Sequence, residues 1–201
     1  MSATGSAATP PAETIALLGT SADPPTRGHQ QLLLELLARF PQVVTWASDN
    51  PMKRHGAALA ERQALLAALV AEIGDPRLQL VQELSSPWAL TTLERATERW
   101  PTRELVFVVG SDLADQIPRW RQAAQVLQRC RLAIVPRSGW PLTAAALANL
   151  EALGGRVEQL PVTIPATASS SVRQQLQPEQ VPATVWPLLL KHNLYGLKTY
   201  S

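Results

Sequence analysis

Between Gly19 and Leu37 the chain reads GTSADPPTRGHQQLLLELL, a run whose residue types suit the binding of phosphate. Gly19 can take backbone angles closed to other residues and lets a ligand approach the main chain, while Asp23, Pro24 and Pro25 make a stiff, non-helical turn. Thr26 then stands as the N-cap of a helix whose unpaired first-turn N–H groups and positive dipole end attract an anion. Gly28 removes a side chain where a phosphate must come close, and His29 can donate to a phosphate oxygen whether or not it is charged. Without that chemistry, the same residues make a strand, a turn and a capped helix with a surface histidine.

A second anion pocket is written near the other end of the chain. Ser169 and Ser170 offer hydroxyl caps at a helix start, and Arg173 adds a guanidinium in its first turn. An ordinary serine cap beside a solvated arginine would look the same. Lys53, Arg54 and His55 form a small basic cluster on a loop, of the kind that is usually solvated.

These residues need elements to hold them. ThrIleAlaLeuLeu at 14–18 is a short apolar run of the buried parallel-strand type. A helix over 27–39, a strand over 42–47, a helix over 57–73 and a strand over 78–81 follow, with Gly74, Asp75 and Pro76 stopping the longer helix. Beyond them come a helix over 88–100, the strongest strand over 104–109 with Gly110 at its end, a helix over 119–129 and a strand over 132–135. The last third holds a helix over 142–153, a strand over 156–160, a short helix opened by the serine cluster, and a final helix over 183–192. Such alternation predicts a doubly wound α/β fold, a parallel sheet with helices on both faces. Ligands bind such sheets beyond the carboxyl ends of the strands where the strand order reverses. Four segments, 19–29, 48–55, 110–112 and 169–173, should therefore meet there.

The 201 residues suffice for one domain, expected over 14–201, that buries roughly 70% of its unfolded surface. Residues 1–13 read as a loose tail with neither the basic start nor the apolar core of a signal peptide. Hydrophobic residues at 46% and charged residues at 17% fit a globular enzyme, and a net charge of +2 gives no reason to expect nucleic acid. No apolar run approaches the roughly 20 residues needed to span a bilayer, so no membrane partner is expected. The single Cys130 excludes an intrachain disulfide, suits a reducing cytoplasm, and reads as structural at the end of a helical pattern.

Gly19, Thr20, Asp23, Pro24 and the Thr26-Arg27-Gly28-His29 tetrad resemble the first signature of the HxGH/TxGH nucleotidyltransferases, a Rossmann-like superfamily. Within it the chain most resembles the bacterial nicotinate-nucleotide adenylyltransferases, particularly the cyanobacterial form. Ser169, Ser170 and Arg173 resemble that family's ISSTxxR signature, with Ser170 in place of Thr and Ala168 in place of Ser. Gly110, Ser111 and Asp112, with Trp120 downstream, match its GxD and Trp. Asp49 to Lys53 is similar to its PPHK-like loop, Ser85 to Leu93 to its SYTxxTL segment, and Arg137 to its RPG turn. Thr26 departs from the family's usual His and is familiar from the pantetheine-phosphate branch.

The resemblance implies adenylyl transfer from ATP, with Mg²⁺ on its phosphates, to nicotinate mononucleotide, giving deamido-NAD and pyrophosphate. It implies catalytic roles for His29, Arg173 and Thr26. ATP contact falls to Gly19, Thr20, Ser21, Gly28, Gly110, Asp112, Ser169 and Ser170, and mononucleotide contact to Asp23, Lys53, Trp88, Trp120 and Arg137. No dedicated protein metal site is expected, and a homo-oligomer is left open. Asp112 could instead cap a helix, Trp120 anchor a core, and Arg137 cap the helix starting near Pro141. The rivals are pantetheine-phosphate adenylyltransferase, favoured by Thr26 alone, and a catalytically silent nucleotide-binding protein of the same fold. A redox enzyme is disfavoured because the first loop lacks GxGxxG.

Overall fold

The computed structural model describes residues 13–50, 53–162, 173 and 177–197. The strands are β1 (Thr14–Thr20), β2 (Gln42–Ala47), β3 (Leu78–Leu80), β4 (Glu104–Gly110), β5 (Arg131–Val135) and β6 (Arg156–Gln159). They form one sheet in the order β3-β2-β1-β4-β5-β6, with every neighbouring pair parallel. The order reverses between β1 and β4, so the crevice of a doubly wound sheet opens where Gly19 and Gly110 lie.

Among the described residues six α-helices cover the faces: α1 (Arg27–Leu37), α2 (Leu59–Ile73), α3 (Ala89–Arg99), α4 (Ala123–Arg129), α5 (Ala144–Ala152) and α6 (Val185–Lys191). Because successive strand side chains point to opposite faces, the apolar run of β4 feeds two cores. Val106 and Val108 pack with Leu33, Leu36, Leu66, Leu69, Val185 and Leu189 of α1, α2 and α6. Leu105, Phe107 and Val109 pack on the other face with Leu93, Val126, Leu127 and Leu150 of α3, α4 and α5.

One expected helix is broken. Residues 117–119 form a 3₁₀ turn with Pro118 near its start, Trp120 is extended, and Gln122 has a left-handed φ of 58° before α4 begins at Ala123. The expected continuous helix over 119–129 is thereby cut back to Ala123–Arg129, because a right-handed helix cannot run through the left-handed backbone of Gln122. Residues 1–12, Met52, Ser169 and Ser170, with the expected short serine-capped helix, lie outside the described residues. Among the described residues no helix is long and apolar enough to cross a membrane.

Candidate active site

Thr26 has the extended backbone of an N-cap, and His29, three residues on, folds back toward it. The Thr26 N–H donates to His29 Nδ1 at 3.1 Å, and the Thr26 hydroxyl oxygen lies 2.9 Å from the same nitrogen. A backbone N–H can only donate, so Nδ1 must offer its lone pair and the imidazole proton sits on Nε2. Burial chiefly, and the nearby Arg137 guanidinium second, lower the His29 pKa from 6.5 to about 4. His29 is thus a neutral, partly exposed Nε2–H donor at the positive end of α1.

Gly19 and Gly110 stand at the two strand ends that flank the crevice, and each is small because protein groups crowd it. A Cβ on Gly19 would lie 2.7–2.9 Å from the Trp46 indole. The Trp46 side chain of the neighbouring strand therefore packs closely on the Gly19 backbone. A Cβ on Gly110 would collide with the Asp112 carboxylate and come within 2.6 Å of Arg137 Nε. Asp112 lies in a 3₁₀ turn rather than capping an α-helix, and its Oδ1 pairs with Arg137 Nε at 3.2 Å. Ser111, which the sequence did not single out, fixes the Arg137 turn: its hydroxyl donates to the Trp140 carbonyl at 2.6 Å and accepts the Arg137 N–H at 2.9 Å.

Asp23 is only 1% exposed, and its carboxylate is occupied by protein donors. Oδ2 accepts the Gly56 N–H at 2.7 Å and Arg173 Nη1 at 3.2 Å, while Oδ1 accepts the Ala57 N–H at 3.1 Å and the Tyr195 hydroxyl at 2.7 Å. Arg173 Nη1 also donates to the Asp23 carbonyl at 2.6 Å. Asp23 thereby ties the first loop to the 53–57 loop and to Tyr195 near the end of the chain. His55 Nδ1 lies 3.7 Å from Asp23 Oδ2, and its pKa is lowered by burial first and by Arg62 second.

Arg62 was also missed from sequence. It is 1% exposed, and its guanidinium donates to the carbonyls of Ser21 at 2.7 Å, Ser48 at 2.8 Å and Ala57 at 3.2 Å. It thereby clamps together the loops that leave β1 and β2, using charged donors worth more than neutral ones. The signal was present: Arg62 falls in the helical stripe with Leu65, Leu66 and Leu69, where only a satisfied cation can be buried.

Thr20 accepts the Ala22 N–H through its hydroxyl, and Gly28 is buried in the first turn of α1. Lys53 is exposed. Trp120 is partly buried and meets Phe107 edge-to-face at 6.4 Å, and Phe107 in turn meets Trp46 at 6.4 Å. Trp88, the N-cap of α3, is 48% exposed with the Arg121 guanidinium 5.2 Å over its ring. Among the described residues no group of three or more His, Cys, Asp or Glu side chains is placed to hold a metal ion.

A parallel sheet whose order reverses beside a helix N-terminus, with an imidazole donor in the first turn, defines a Rossmann-like nucleotide-binding protein. Residues 17–176 match the family model described as cytidylyltransferase-like. The chain is 36% identical over 196 residues to a Synechocystis protein named a probable nicotinate-nucleotide adenylyltransferase, covering 90% of this chain and 98% of that one. A Chlorobaculum tepidum relative of the same name is 29% identical, covering 90% and 98%. The fold matches, with a TM-score of 0.73, 18% identity and coverage of 94% of this chain and 100% of the other, the Plasmodium falciparum nicotinic acid mononucleotide adenylyltransferase complexed with NaAD. This chain belongs to the nicotinate-nucleotide adenylyltransferase family of cytidylyltransferase-like proteins.

Proposed function

We propose that the protein transfers the adenylyl group of Mg·ATP to nicotinate mononucleotide. The phosphate of the mononucleotide attacks the α-phosphorus in line, forming the P–O–P bond of deamido-NAD as the bond to pyrophosphate breaks. The observation that carries this reading is the oriented Nε2–H of His29 at the N-terminus of α1, beside the β1/β4 crevice. A phosphate monoester is already a nucleophile at neutral pH, so no base or covalent intermediate is required. The chain's work is to position two anions and offset charge growing on the reacting phosphorus.

His29, the α1 N–H groups and Arg173 take the triphosphate, with Thr26 orienting His29. Ser169 and Ser170, outside the described residues, belong to the same proposed phosphate site. Asp112 serves the ribose, and Lys53 and Arg137 supply further positive charge. Trp120 and Trp88 flank the pyridine ring. Mg²⁺ arrives on ATP and adds positive charge at its phosphates.

The test presents Mg·ATP with nicotinate mononucleotide, nicotinamide mononucleotide and pantetheine phosphate in parallel, measuring pyrophosphate release. A strong preference for nicotinate mononucleotide is expected. Tight ATP binding with no turnover on any acceptor would overturn the reading in favour of a silent nucleotide-binding protein.

A further inference from the structure

Tyr195 lies at the far end of the chain from the phosphate loop, yet its hydroxyl donates to Asp23 Oδ1 at 2.7 Å across 172 residues. The backbone around it is bent to reach that position. Tyr195 has φ 56° and ψ 31°, a left-handed conformation that a bulky aromatic side chain rarely adopts, and Asn193 two residues earlier has φ 50°. Such a residue persists only where its surroundings over-determine it. The surroundings here are specific: a Cβ on Gly56 would lie 2.8 Å from the Tyr195 ring and 3.1 Å from Arg173 Cδ, so the tyrosine and arginine pack over the same bare stretch of backbone.

Both side chains converge on one carboxylate. Asp23 Oδ1 is filled by Tyr195 and the Ala57 N–H, and Oδ2 by Arg173 and the Gly56 N–H. Burial of Asp23, together with a donor on each side of each oxygen, fixes the plane of the carboxylate. That plane sets the line along which Arg173 Nη1 meets Oδ2, beside its bond to the Asp23 backbone carbonyl. The two bonds to Asp23 use Nη1, and among the described residues no bond from Nη2 or Nε of Arg173 is made, which leaves those donors to meet a phosphate. Burial and the hydrogen bond to Asp23 raise the Tyr195 pKa, so the hydroxyl remains a donor throughout the working pH range.

We propose that Tyr195 is a positioning residue for Arg173, acting through Asp23, so that the chain's C-terminal turn sets the geometry of the triphosphate site. This rests on the reading that Arg173 meets the triphosphate. Tyr195→Phe removes one oxygen and leaves the ring on Gly56. The affinity for a non-hydrolysable ATP analogue, measured calorimetrically, is compared among wild type, Tyr195→Phe, Arg173→Ala and the double variant.

Tyr195→Phe is expected to weaken binding about tenfold in the wild-type background, the loss of one hydrogen bond to a charged group, and less than about twofold once Arg173 is gone. A merely structural tyrosine would give losses that multiply in the double variant. That outcome, or binding by Tyr195→Phe within twofold of wild type, overturns the proposal. Should Tyr195→Phe not fold, Gly56→Ala keeps the hydroxyl and presses on the same ring, and its loss must likewise vanish in the Arg173→Ala background. A wild-type protein that binds the analogue but does not adenylylate nicotinate mononucleotide overturns the proposed acceptor and leaves this comparison intact.

Discussion

If His29 works as a neutral Nε2–H donor, replacing it with glutamine and with alanine should give very different proteins. The His29 pKa of about 4, against 6.5 for a free imidazole, corresponds to roughly 3 kcal/mol of preference for the neutral ring, since one pH unit is about 1.4 kcal/mol. The ring is partly exposed, and solvent screening reduces the usable figure to about 2 kcal/mol. Between pH 6.5 and 4 the unfolded chain takes up a proton that the folded chain refuses, so acidification through that window favours unfolding. Above pH 6.5 the ring is neutral in both states and adds no further slope.

Urea unfolding at pH 7 and pH 4.5 should therefore show wild type losing about 2 kcal/mol more than His29→Gln, which has nothing to titrate at that position. The comparison cancels His55, which is common to both proteins. A glutamine amide can occupy the place of Nε2–H as a neutral donor. His29→Ala should lower kcat roughly 10²-fold, as loss of one transition-state donor does, and His29→Gln should recover about a tenth to all of it. Nitrogen NMR of the imidazole should show the Nε2–H form at pH 7. A ring that titrates near 6.5, together with a glutamine variant as inactive as the alanine one, would refute the neutral-donor argument.

Arg62→Met should destabilise the protein by about 3 kcal/mol in chemical denaturation, because the Ser21 and Ser48 carbonyls lose their charged donor while the apolar stem is largely kept. Gly19→Ala should cost about 1–3 kcal/mol from overpacking against Trp46, with altered near-ultraviolet dichroism as the sign that the indole has moved. Cys130 is buried, and burial pushes its thiol pKa up to about 12, so iodoacetamide at pH 8 should modify it only after unfolding.

The sheet and its helices were legible because the central strands of a doubly covered sheet are apolar on both sides and the helices packed on them carry apolar stripes. Ile15 to Leu18 and Leu105 to Val109 say this directly. The helix around Trp120 was not legible in detail, since nothing in ArgTrpArgGln announces that Gln122 will turn left-handed. Gly19 and Gly110 were legible as the ends of their strands, but the groups that leave no room for a side chain there, Trp46 and the Asp112–Arg137 pair, are brought in by the fold.

The groups proposed to neutralise phosphate charge share an arrangement that explains what could and could not be read in advance. His29 is held by Thr26, Arg137 by Asp112, and Arg173 by Asp23. The first partnership spans three residues within one helical turn, a spacing that sequence displays, and it gives Thr26 an orienting role that needs no second imidazole. The Arg173 partnership spans 150 residues and exists only once the fold brings Arg173 to the loop that leaves β1. A buried carboxylate such as Asp23 cannot be left unpaired without a large cost, so the donors around it fix one another's positions. Restraint of that kind lowers the reorganisation needed when a triphosphate binds. It also means that substitution of a residue that never touches substrate, such as Tyr195, should be felt at the phosphorus.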